Sequence, residues 1–310
     1  MTESLTHLDR EGRVKMVDVG GKAITKRRAV AFGTVRVGEE ALSMLRDGQV
    51  AKGDAWAATR VAAIMAAKRT SDLIPLTHPI RLDAVNITLA PFGAERVAVI
   101  AEALASDRTG VEMEAMTAVS VAQLNLYDMV KGVSKGVTLE GARLLLKTGG
   151  KSGDWLADGV ELGRIEKLAT SRTKGTPKDP TDDVTIKLGF GVEGDAHGGD
   201  WHRQVSLLGV ESIRKMQEKG LKVDFGSFAE NIATSGICLY ELPVGSLLWV
   251  NTGVLLEVTQ IGKECHTKCA VYHKAGDCVM PREGIFARVL TGGPLHTGDT
   301  LLAIRTEHNR

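Results

Sequence analysis

The first chemistry that the sequence suggests is proton transfer between a carboxylate and a lysine. In the segment LYDMVK, Asp128 precedes Lys131 by one helical turn, so both side chains would lie on one face of a helix. Such a pair can exchange protons with a substrate, although an isolated Asp–Lys pair is more often a surface ion pair. A second lysine, Lys52, lies just before a predicted helix start, where a cation and backbone N–H groups can share an anion.

The apolar segment GVEMEAMTAVSVAQLNLYDMVKG carries two more carboxylates. Thr109 and Glu112 have the spacing of a capping box, which predicts that the helix begins there and that Glu112 acts as a cap. Glu114 lies on nearly the same face as Asp128, but about 20 Å from it along the axis. One small substrate could touch both positions only if a second copy of the helix ran antiparallel across the first.

Two loops add a histidine and a lysine. In LIPLTHPI, His78 lies between prolines that stiffen the chain; such a histidine is often structural, yet a rigid loop also suits a proton-transfer group. In KTGGKSGD, Lys147 begins a glycine-rich stretch. This stretch is not a Walker A motif, because Leu145 occupies the position that needs glycine, but its lysines can contact phosphate.

All four cysteines lie in the second half of the chain, and three of them are close together: Cys265, Cys269 and Cys278. Their spacing departs from the usual zinc patterns, which leaves three readings open: a structural metal, buried cysteines that fill a core, or a reactive thiol or soft-metal ligand. Lys263, His266 and Lys268 would favour a thiolate at Cys265. Cys238 has no such sequence neighbours, so it serves as the thiol with which the reactivity of Cys265 is compared. The cysteine spacing does not specify a metal.

The pattern of helical and strand-like segments changes along the sequence, and this change predicts two domains, 1–157 and 158–310. In the first, helical runs such as ALSMLRDG and DAWAATRVAAIMAAKR alternate with strand-like runs such as VAVIAEAL, which predicts a layered α+β fold. Asp54 can cap the second of these helices. After the boundary, GRIEKLAT predicts a first strand, and the polar segment TSRTKGTPKDPTDDV with its two prolines predicts a loop.

The second domain is predicted to be mostly β. PVGSLLWVNTGVLLEVTQIG consists of two apolar runs joined by Asn-Thr-Gly, which is typical of a hairpin, and IFARVLTGGPLHTGDTLLAI repeats the pattern with glycine-rich turns. One helix, GVESIRKMQEKG, interrupts the strands. A small barrel or a sandwich fits this pattern best.

Composition indicates a globular protein without a general affinity for nucleic acid or membranes. The 310 residues include 43% apolar and 25% charged residues, and the formal net charge is +1. No apolar run reaches the roughly 18 residues of a membrane-spanning helix, and the first residues are too polar for a signal peptide. We therefore expect a cytoplasmic location and reduced thiols.

The first half contains seven motifs in a fixed order: LTHLD, MVDVGGKAITKRRAVA, KGD, AAKRTSDLIPLTHPI, TGVEMEAMTAVSVA, LYDMVK and GGKSGD. With these motifs, residues 4–155 resemble the cyclic pyranopterin monophosphate synthases of molybdenum cofactor biosynthesis. The resemblance implies a ferredoxin-like α+β subunit and a homohexamer with sites at dimer interfaces. It also implies an enzyme that converts cyclised dihydro-GTP into cyclic pyranopterin monophosphate and pyrophosphate, without a cofactor.

The resemblance carries catalytic roles to Lys52, Asp128 and Lys131. It carries substrate contact to the loop and to the start of the long helix, and the predicted substrate-binding set, with two charged neighbours added, is Leu76, Thr77, His78, Glu112, Met113, Glu114 and Lys147. Thr77 stands where the family usually has a cysteine, so the histidine of this loop is kept and the thiol is not. A triphosphate needs cations, which Lys52 and Lys147 can supply.

In the second half, the stretches GVEGDAH, QVSLLGVESI, FAENI, PVGSLLWV, VTQIGKEC and GDTL resemble the MOSC domain, named for the C-terminal domain of molybdenum cofactor sulfurases. The resemblance implies a β-barrel with a cysteine that handles sulfur or molybdenum cofactor, and Cys265 matches that position. Cys269 and Cys278 are additional and are candidate co-ligands. Ala229 stands where the family often has glycine.

We therefore expect a fusion of a synthase with a MOSC domain that handles molybdenum cofactor, molybdenum ion or sulfur. Its expected partners are a purine triphosphate substrate and other proteins of the same biosynthesis. One alternative is a non-catalytic hexameric platform that carries a cofactor-binding or reductase-type MOSC domain. The joint presence of Lys52, His78, Asp128 and Lys131 argues against a platform, which needs none of them.

Overall fold

The computed structural model describes residues 11–263 and 278–306. Its internal contacts divide the chain into two compact units, Met1–Ala157 (unit 1) and Asp158–Arg310 (unit 2). Each unit has its own hydrophobic core, made in unit 1 by a sheet and helices and in unit 2 mainly by strands. The predicted α+β class is confirmed. Among the helices described, none is long and apolar enough to cross a membrane.

Unit 1 is built on an antiparallel sheet with strand order β2-β3-β1-β4-β5. The strands are β1 Thr25–Arg36, β2 Leu82–Phe92, β3 Arg96–Asp107, β4 Thr138–Thr148 and β5 Trp155–Leu156. Three helices lie between β1 and β2, and one lies between β3 and β4: α1 Glu39–Arg46, α2 Ala55–Lys68, α3 Thr70–Leu73 and α4 Glu112–Val130. The order of β1 to β4 with their two helical connections is that of a ferredoxin-like fold, as predicted.

Helix α4 is fixed on the sheet by small residues and by one buried amide. Ala115, Ala118 and Ala122 are fully buried, so the helix approaches the strands closely. The Gln123 amide nitrogen donates to the Thr34 and Gly141 carbonyls, both at 2.9 Å, where the register of β1 and β4 shifts. These bonds give hydrogen-bond partners to two carbonyls at the place where the strand pairing is irregular, and so they set the position of the second half of α4.

The start of α4 differs from the sequence prediction. The helix begins at Glu112, its N-cap is Val111, and no side chain caps it. The Glu112 carboxylate lies so close to Gly110 that a Cβ there would overlap it. The capping box predicted between Thr109 and Glu112 is therefore wrong. The predicted cap of α2 is confirmed, since the Asp54 carboxylate accepts the Ala57 N–H at 3.0 Å.

Unit 2 is a closed barrel. Seven strands follow the order β11-β10-β14-β13-β12-β16-β6, and β6 pairs back with β11, which excludes the sandwich alternative. The barrel strands are β6 Val160–Thr170, β10 Val205–Gly209, β11 Ile232–Ser235, β12 Leu247–Val250, β13 Leu255–Ile261, β14 Ile285–Thr291 and β16 Thr300–Ile304. Outside it lie β7 Asp179–Thr181, β8 Asp183–Lys187, β9 Gly191–Val192, β15 Gly293–His296, α5 Val210–Glu218, a 3-10 helix Leu239–Glu241 and α6 Met280–Glu283.

Two details of unit 2 correct the sequence prediction. The polar stretch that follows β6 is not all loop, because β7 pairs there with the end of β6. The glycine-rich stretch after β14 does not form a hairpin with it, because β15 pairs with β8 instead. The hairpin of β12 and β13 is confirmed. The second error concerns pairing with a strand distant in sequence, which local turn signals do not report.

Candidate functional site

Lys52, Asp128 and Lys131 meet at the C-terminal end of α4, and we call them the C-terminal cluster. The Lys52 ammonium donates to the Asp128 carboxylate at 2.6 Å and to its backbone carbonyl at 2.7 Å. Lys131, the C-cap of α4, lies 2.7 Å from the other carboxylate oxygen. The loop before α2 thus delivers Lys52 to a helix end that is remote in sequence.

The two lysines keep the Asp128 carboxylate ionised. Hydrogen bonds from Lys131 and Lys52 lower the pKa of Asp128 to about 2, and the bond to Asp128 raises the pKa of Lys131. All three side chains are about half exposed. At neutral pH the cluster is one carboxylate between two ammonium groups, with a net positive charge open to an anionic ligand.

A second group of predicted residues lies at the N-terminal end of α4, and we call it the N-terminal cluster. Met113 is exposed, while the Lys147 ammonium, near the end of β4, lies 3.8 Å from the Glu112 carboxylate and donates to the Ser152 hydroxyl at 2.5 Å. Glycines 149 and 150 follow Lys147, and a Cβ at Gly149 would overlap the Lys26 carbonyl. The glycines therefore let this loop pack on the start of β1.

Glu114 is the buried member of the N-terminal cluster. Its side chain is only 3% exposed, and its Oε2 atom has no hydrogen-bond partner among the described residues. Burial, with a smaller contribution from the Glu112 charge, raises the pKa of Glu114 to about 7. A carboxyl group in this state can gain or lose a proton near neutral pH.

The loop 76–78 lies at the same end of the sheet as the N-terminal cluster. All three of its residues are partly buried, and Thr77 makes a tight turn, because its hydroxyl and its N–H both donate to the Ile74 carbonyl. Strand β2 begins shortly after this loop, and its first residue, Leu82, pairs with Ala105 near the end of β3. The chain then leaves β3 for α4, so we count the loop with the N-terminal cluster.

The structure therefore sorts the predicted residues of unit 1 into two clusters at opposite ends of α4. Glu114 and Asp128 are 14 positions apart on one helix, which corresponds to about 20 Å. Between these ends, the outer face of the helices exposes large apolar side chains: Val61 and Met65 on α2, Leu73 on α3, and Leu124 on α4. We call these four residues the apolar helical face.

Unit 2 has a cavity of about 150 Å³, which we call the Trp201 cavity. No cysteine of the described residues is among its wall residues. The Arg203 guanidinium lies 4.7 Å from the centre of the Trp201 ring and 5.6 Å from that of Phe286. The Arg203 Nε atom is buried and has no hydrogen-bond partner among the described residues. The wall is completed by His197, Ser206, Phe228, Ala229, Asn231, Lys263 and Met280.

A buried ion pair supports this cavity. Lys178 and Asp195 form a short ion pair and are almost fully buried. Asp195 also accepts the Ser171 N–H at 3.0 Å and the Asn231 amide at 3.1 Å. Burial raises the pKa of Asp195, but hydrogen bonds from Lys178, the His197 N–H and the Ser171 N–H, together with the Lys178 charge, outweigh burial and lower it overall. Burial and the Lys178 charge lower the pKa of His197, which is therefore neutral at pH 7.

The turn beside this network contains a strained alanine and a buried acid. Ala229 has φ 64°, in the left-handed region that favours glycine. The next residue, Glu230, is 1% exposed and accepts the N–H groups of Gly226 at 2.6 Å and Phe228 at 3.1 Å. Burial raises the pKa of Glu230 to about 7. The Glu230 bonds hold the turn, and the turn places Ala229 and Asn231 on the cavity wall.

The predicted cysteines of unit 2 fall in different places. Cys265 and Cys269 lie outside the described residues. Cys278 is buried beside Val279 and Met280, in a hydrophobic core and not on the wall of the Trp201 cavity. Residues 11–263 and 278–306 contain no group of three metal-ligating side chains placed to hold an ion.

Sequence reasoning missed Arg203, Lys178 and Asp195. Asp195 belongs to the quoted stretch GVEGDAH, which was a usable signal. Lys178 lies among prolines and charged residues, where a solvent-exposed side chain is the ordinary expectation. Only the fold shows that this lysine is buried against Asp195.

Comparisons with known proteins agree with the two units. Residues 16–150 match the MoaC family, and residues 193–302 match the MOSC domain. The cyclic pyranopterin monophosphate synthase of Novosphingobium aromaticivorans is 54% identical over 153 residues, which cover 49% of this chain and 97% of that protein. Cyclic pyranopterin monophosphate synthase 3 of Mycobacterium bovis is 51% identical over 151 residues, which cover 49% of this chain and 85% of that protein.

Two solved structures resemble part of the chain at low identity. The YuaD protein of Bacillus subtilis is 20% identical with a TM-score of 0.41, covering 48% of this chain and 98% of that one. YiiM from Escherichia coli is 16% identical with a TM-score of 0.34, and the match covers 46% of this chain and 71% of that one.

Proposed function

Because the chain belongs to the MoaC family over unit 1, we propose that it is a cyclic pyranopterin monophosphate synthase of molybdenum cofactor biosynthesis. Its substrate would be cyclised dihydro-GTP, and its products cyclic pyranopterin monophosphate and pyrophosphate. The observation that carries this proposal is the C-terminal cluster, in which Asp128 binds two lysines at 2.6 and 2.7 Å.

The charges of the C-terminal cluster suggest a role for each residue. Asp128, with a pKa of about 2, is a permanent carboxylate near neutral pH and orients both ammonium groups. Lys131 is held in its charged form by Asp128, so its first step would be to donate a proton to the substrate. Lys52 would bind an anionic group of the substrate, since its ammonium is half exposed.

The complete site would need two copies of the chain. The C-terminal cluster holds the lysines, and the N-terminal cluster holds Glu114 and Lys147, about 20 Å away on the same helix. An antiparallel second copy would bring the N-terminal cluster of one chain to the C-terminal cluster of the other. The apolar helical face supports this arrangement, because its exposed side chains lie between the two clusters. Repetition of such pairs would give the homohexamer expected from the sequence.

The test is an assay of the full chain with cyclised dihydro-GTP, in which pyrophosphate release and pterin formation are both measured. Asp128→Asn and Lys131→Ala should each lower the rate by a factor on the order of 100 or more, because the first removes the carboxylate that orients both ammonium groups and the second removes the proposed proton donor. Lys135→Ala is the matched control, since this exposed lysine lies four residues past Lys131, outside the helix. Near-normal rates in both cluster variants would contradict the proposal.

For unit 2 we propose that the Trp201 cavity holds an anionic cofactor with a flat ring, in keeping with molybdenum cofactor. The described residues fit such a group: the unpartnered Arg203 Nε and the Lys263 ammonium would bind its anionic part, and Trp201 would face the ring. Cys265 follows Lys263 by two residues and is the proposed thiol ligand or sulfur carrier. When bound, the cofactor would supply a metal centre for sulfur or redox chemistry.

Metal analysis of protein purified from a host that makes molybdenum cofactor tests this second proposal. The wild-type chain should retain molybdenum, while Arg203→Met and Cys265→Ser should lose most of it. Lys222→Met is the control, because this exposed lysine is not part of the cavity wall. Equal molybdenum in all variants would show that Arg203 and Cys265 do not hold the cofactor, and no molybdenum in the wild type would contradict cofactor binding by unit 2.

A further inference from the structure

A second cavity in unit 2, of about 310 Å³, lies between the start of α5 and the segment that follows β11. It shares no wall residue with the Trp201 cavity. Its wall contains a thiol, a phenol and an ammonium group, from Cys238, Tyr240 and Lys215, together with Gly209, Glu211, Ser212, Gly236, Ile237 and Leu239. We call it the Cys238 cavity.

The structure fixes the position of the thiol on the wall. The Cys238 side chain is partly exposed, and its backbone N–H donates to the Glu161 carboxylate at 3.1 Å. Tyr240 lies on the same wall, and its interaction with Cys238 is the main reason that the pKa of Tyr240 is raised. The partly exposed Cys238 therefore lies on the cavity wall together with the Tyr240 phenol.

The ammonium group of Lys215 is held on the same wall. It lies 5.4 Å from the centre of the Tyr240 ring, and it bonds the two oxygens of Glu283 at 3.1 and 3.0 Å. The Ser212 hydroxyl donates to the same Glu283 carboxylate at 2.5 Å, and this bond helps to fix the carboxylate that holds Lys215. The fold thus brings to the cavity wall of Cys238 a lysine that the neighbouring sequence does not supply.

We propose that Cys238 is a modification site that forms a mixed disulfide with low-molecular-weight disulfides. The cavity is large enough for one half of such a molecule, and the thiol is accompanied by a donor and a cation. The Cys238 thiolate attacks one sulfur of the disulfide, the original S–S bond breaks, and a new S–S bond to Cys238 forms. The other half leaves as a thiolate and takes up the proton that Cys238 lost, so the small disulfide is the oxidant.

Lys215 and Tyr240 have defined tasks in this exchange. Negative charge is present on the attacking sulfur and passes to the leaving sulfur, so a nearby ammonium stabilises the reaction throughout. The Tyr240 hydroxyl, on the same wall, would donate to the attacking sulfur during the exchange. Neither residue belongs to the synthase cluster or to the Trp201 cavity, so the exchange is independent of the proposed functions.

The test is treatment of the folded full-length chain with bis(2-hydroxyethyl) disulfide, followed by peptide mass mapping over time. This probe is neutral, so a change at Lys215 does not alter attraction of the probe itself. Cys238 should gain the mixed disulfide, and buried Cys278 should not. Lys215→Met should slow the modification roughly threefold, the usual size of a half-exposed charge effect. Lys222→Met should leave the rate unchanged.

Tyr240→Phe is a second test that removes only the hydroxyl group, and it should also slow the modification. The unfolding temperature of each variant shows whether unit 2 is still folded. Modification of Cys238 at the rate of Cys278 would overturn the proposal. So would full wild-type rates in folded Lys215→Met and Tyr240→Phe, because they would reduce Cys238 to an ordinary exposed thiol.

Discussion

At the scale of single residues, the two carboxylates of the predicted site behave in opposite ways. Asp128 is exposed between two ammonium groups, which lower its pKa to about 2, while Glu114 is buried without a partner for Oε2, and its pKa is raised to about 7. Environment, and not residue type, therefore separates a fixed negative charge from a group that can transfer a proton near neutral pH.

Glu114→Gln should change how the stability of unit 1 depends on pH. The folded pKa of Glu114 lies above the unfolded value of about 4.3, so the folded state binds more protons and loses stability as pH rises from about 4 to 7. Relative to wild type, the variant should gain on the order of 2 kcal/mol between pH 5 and pH 8. Urea unfolding at both pH values measures this gain, and a difference that does not vary with pH would show that Glu114 is ionised at both.

At the scale of elements, function depends on a few places where the backbone departs from regular structure. In unit 1, the Gln123 amide binds carbonyls at the irregular pairing of β1 and β4, which fixes the helix that carries Asp128. A Cβ at Gly33 would lie 2.5 Å from the Gly141 carbonyl oxygen, so glycine is needed for this approach. In unit 2, the turn with Ala229 and Glu230 shapes the Trp201 cavity.

Ala229→Gly should stabilise unit 2 because φ at this position is 64°. An alanine in the left-handed region costs about 1 kcal/mol, which glycine avoids, and the gain is partly offset by greater backbone entropy in the unfolded chain. Thermal unfolding should therefore show a small rise in the melting temperature of unit 2. Gly226→Ala, in the same turn, is the reverse control: its φ is 82°, and a Cβ there would overlap the Lys178 carbonyl. A lower melting temperature for Ala229→Gly would mean that the alanine methyl contributes more than its strain costs.

At the scale of the whole molecule, each copy of the chain carries both halves of the proposed synthase site, but at opposite ends of α4. The apolar helical face lies between them and would be buried by a second copy. A two-fold arrangement brings unlike ends together, because the same surface of each chain contacts the other in reverse order. Two sites per pair of chains follow from this arrangement.

Mixed oligomers test this arrangement directly. Glu114→Ala and Asp128→Asn chains, each inactive alone, should recover activity after joint dissociation and reassembly, because one site of each mixed pair receives two intact clusters. With random pairing the recovery should approach about a quarter of the wild-type rate. Asp128→Asn mixed with Lys131→Ala is the control and should recover nothing, since both lesions lie in the same cluster. No recovery in confirmed mixed oligomers of the first pair would place the site within one chain.

The sequence by itself determined the features that depend on neighbouring residues. The apolar run from Gly110 to Gly132 predicted α4, and the spacing within LYDMVK predicted the contact of Asp128 with Lys131. The motif order led to the ferredoxin-like class of unit 1, and the turn signals led to the hairpin of β12 and β13. These predictions succeed because helix periodicity and tight turns are local properties of the chain.

Only the tertiary structure decided which distant residues meet. Lys52 reaches Asp128 across 76 positions, Lys178 is buried against Asp195, and α5 brings Lys215 beside Cys238. The local sequence does not show what these lysines contact, because their neighbours belong to elements that meet only after long stretches of chain. Sequence spacing therefore gave the chemistry available to each segment, and the packing of remote segments decided which of those groups share a site.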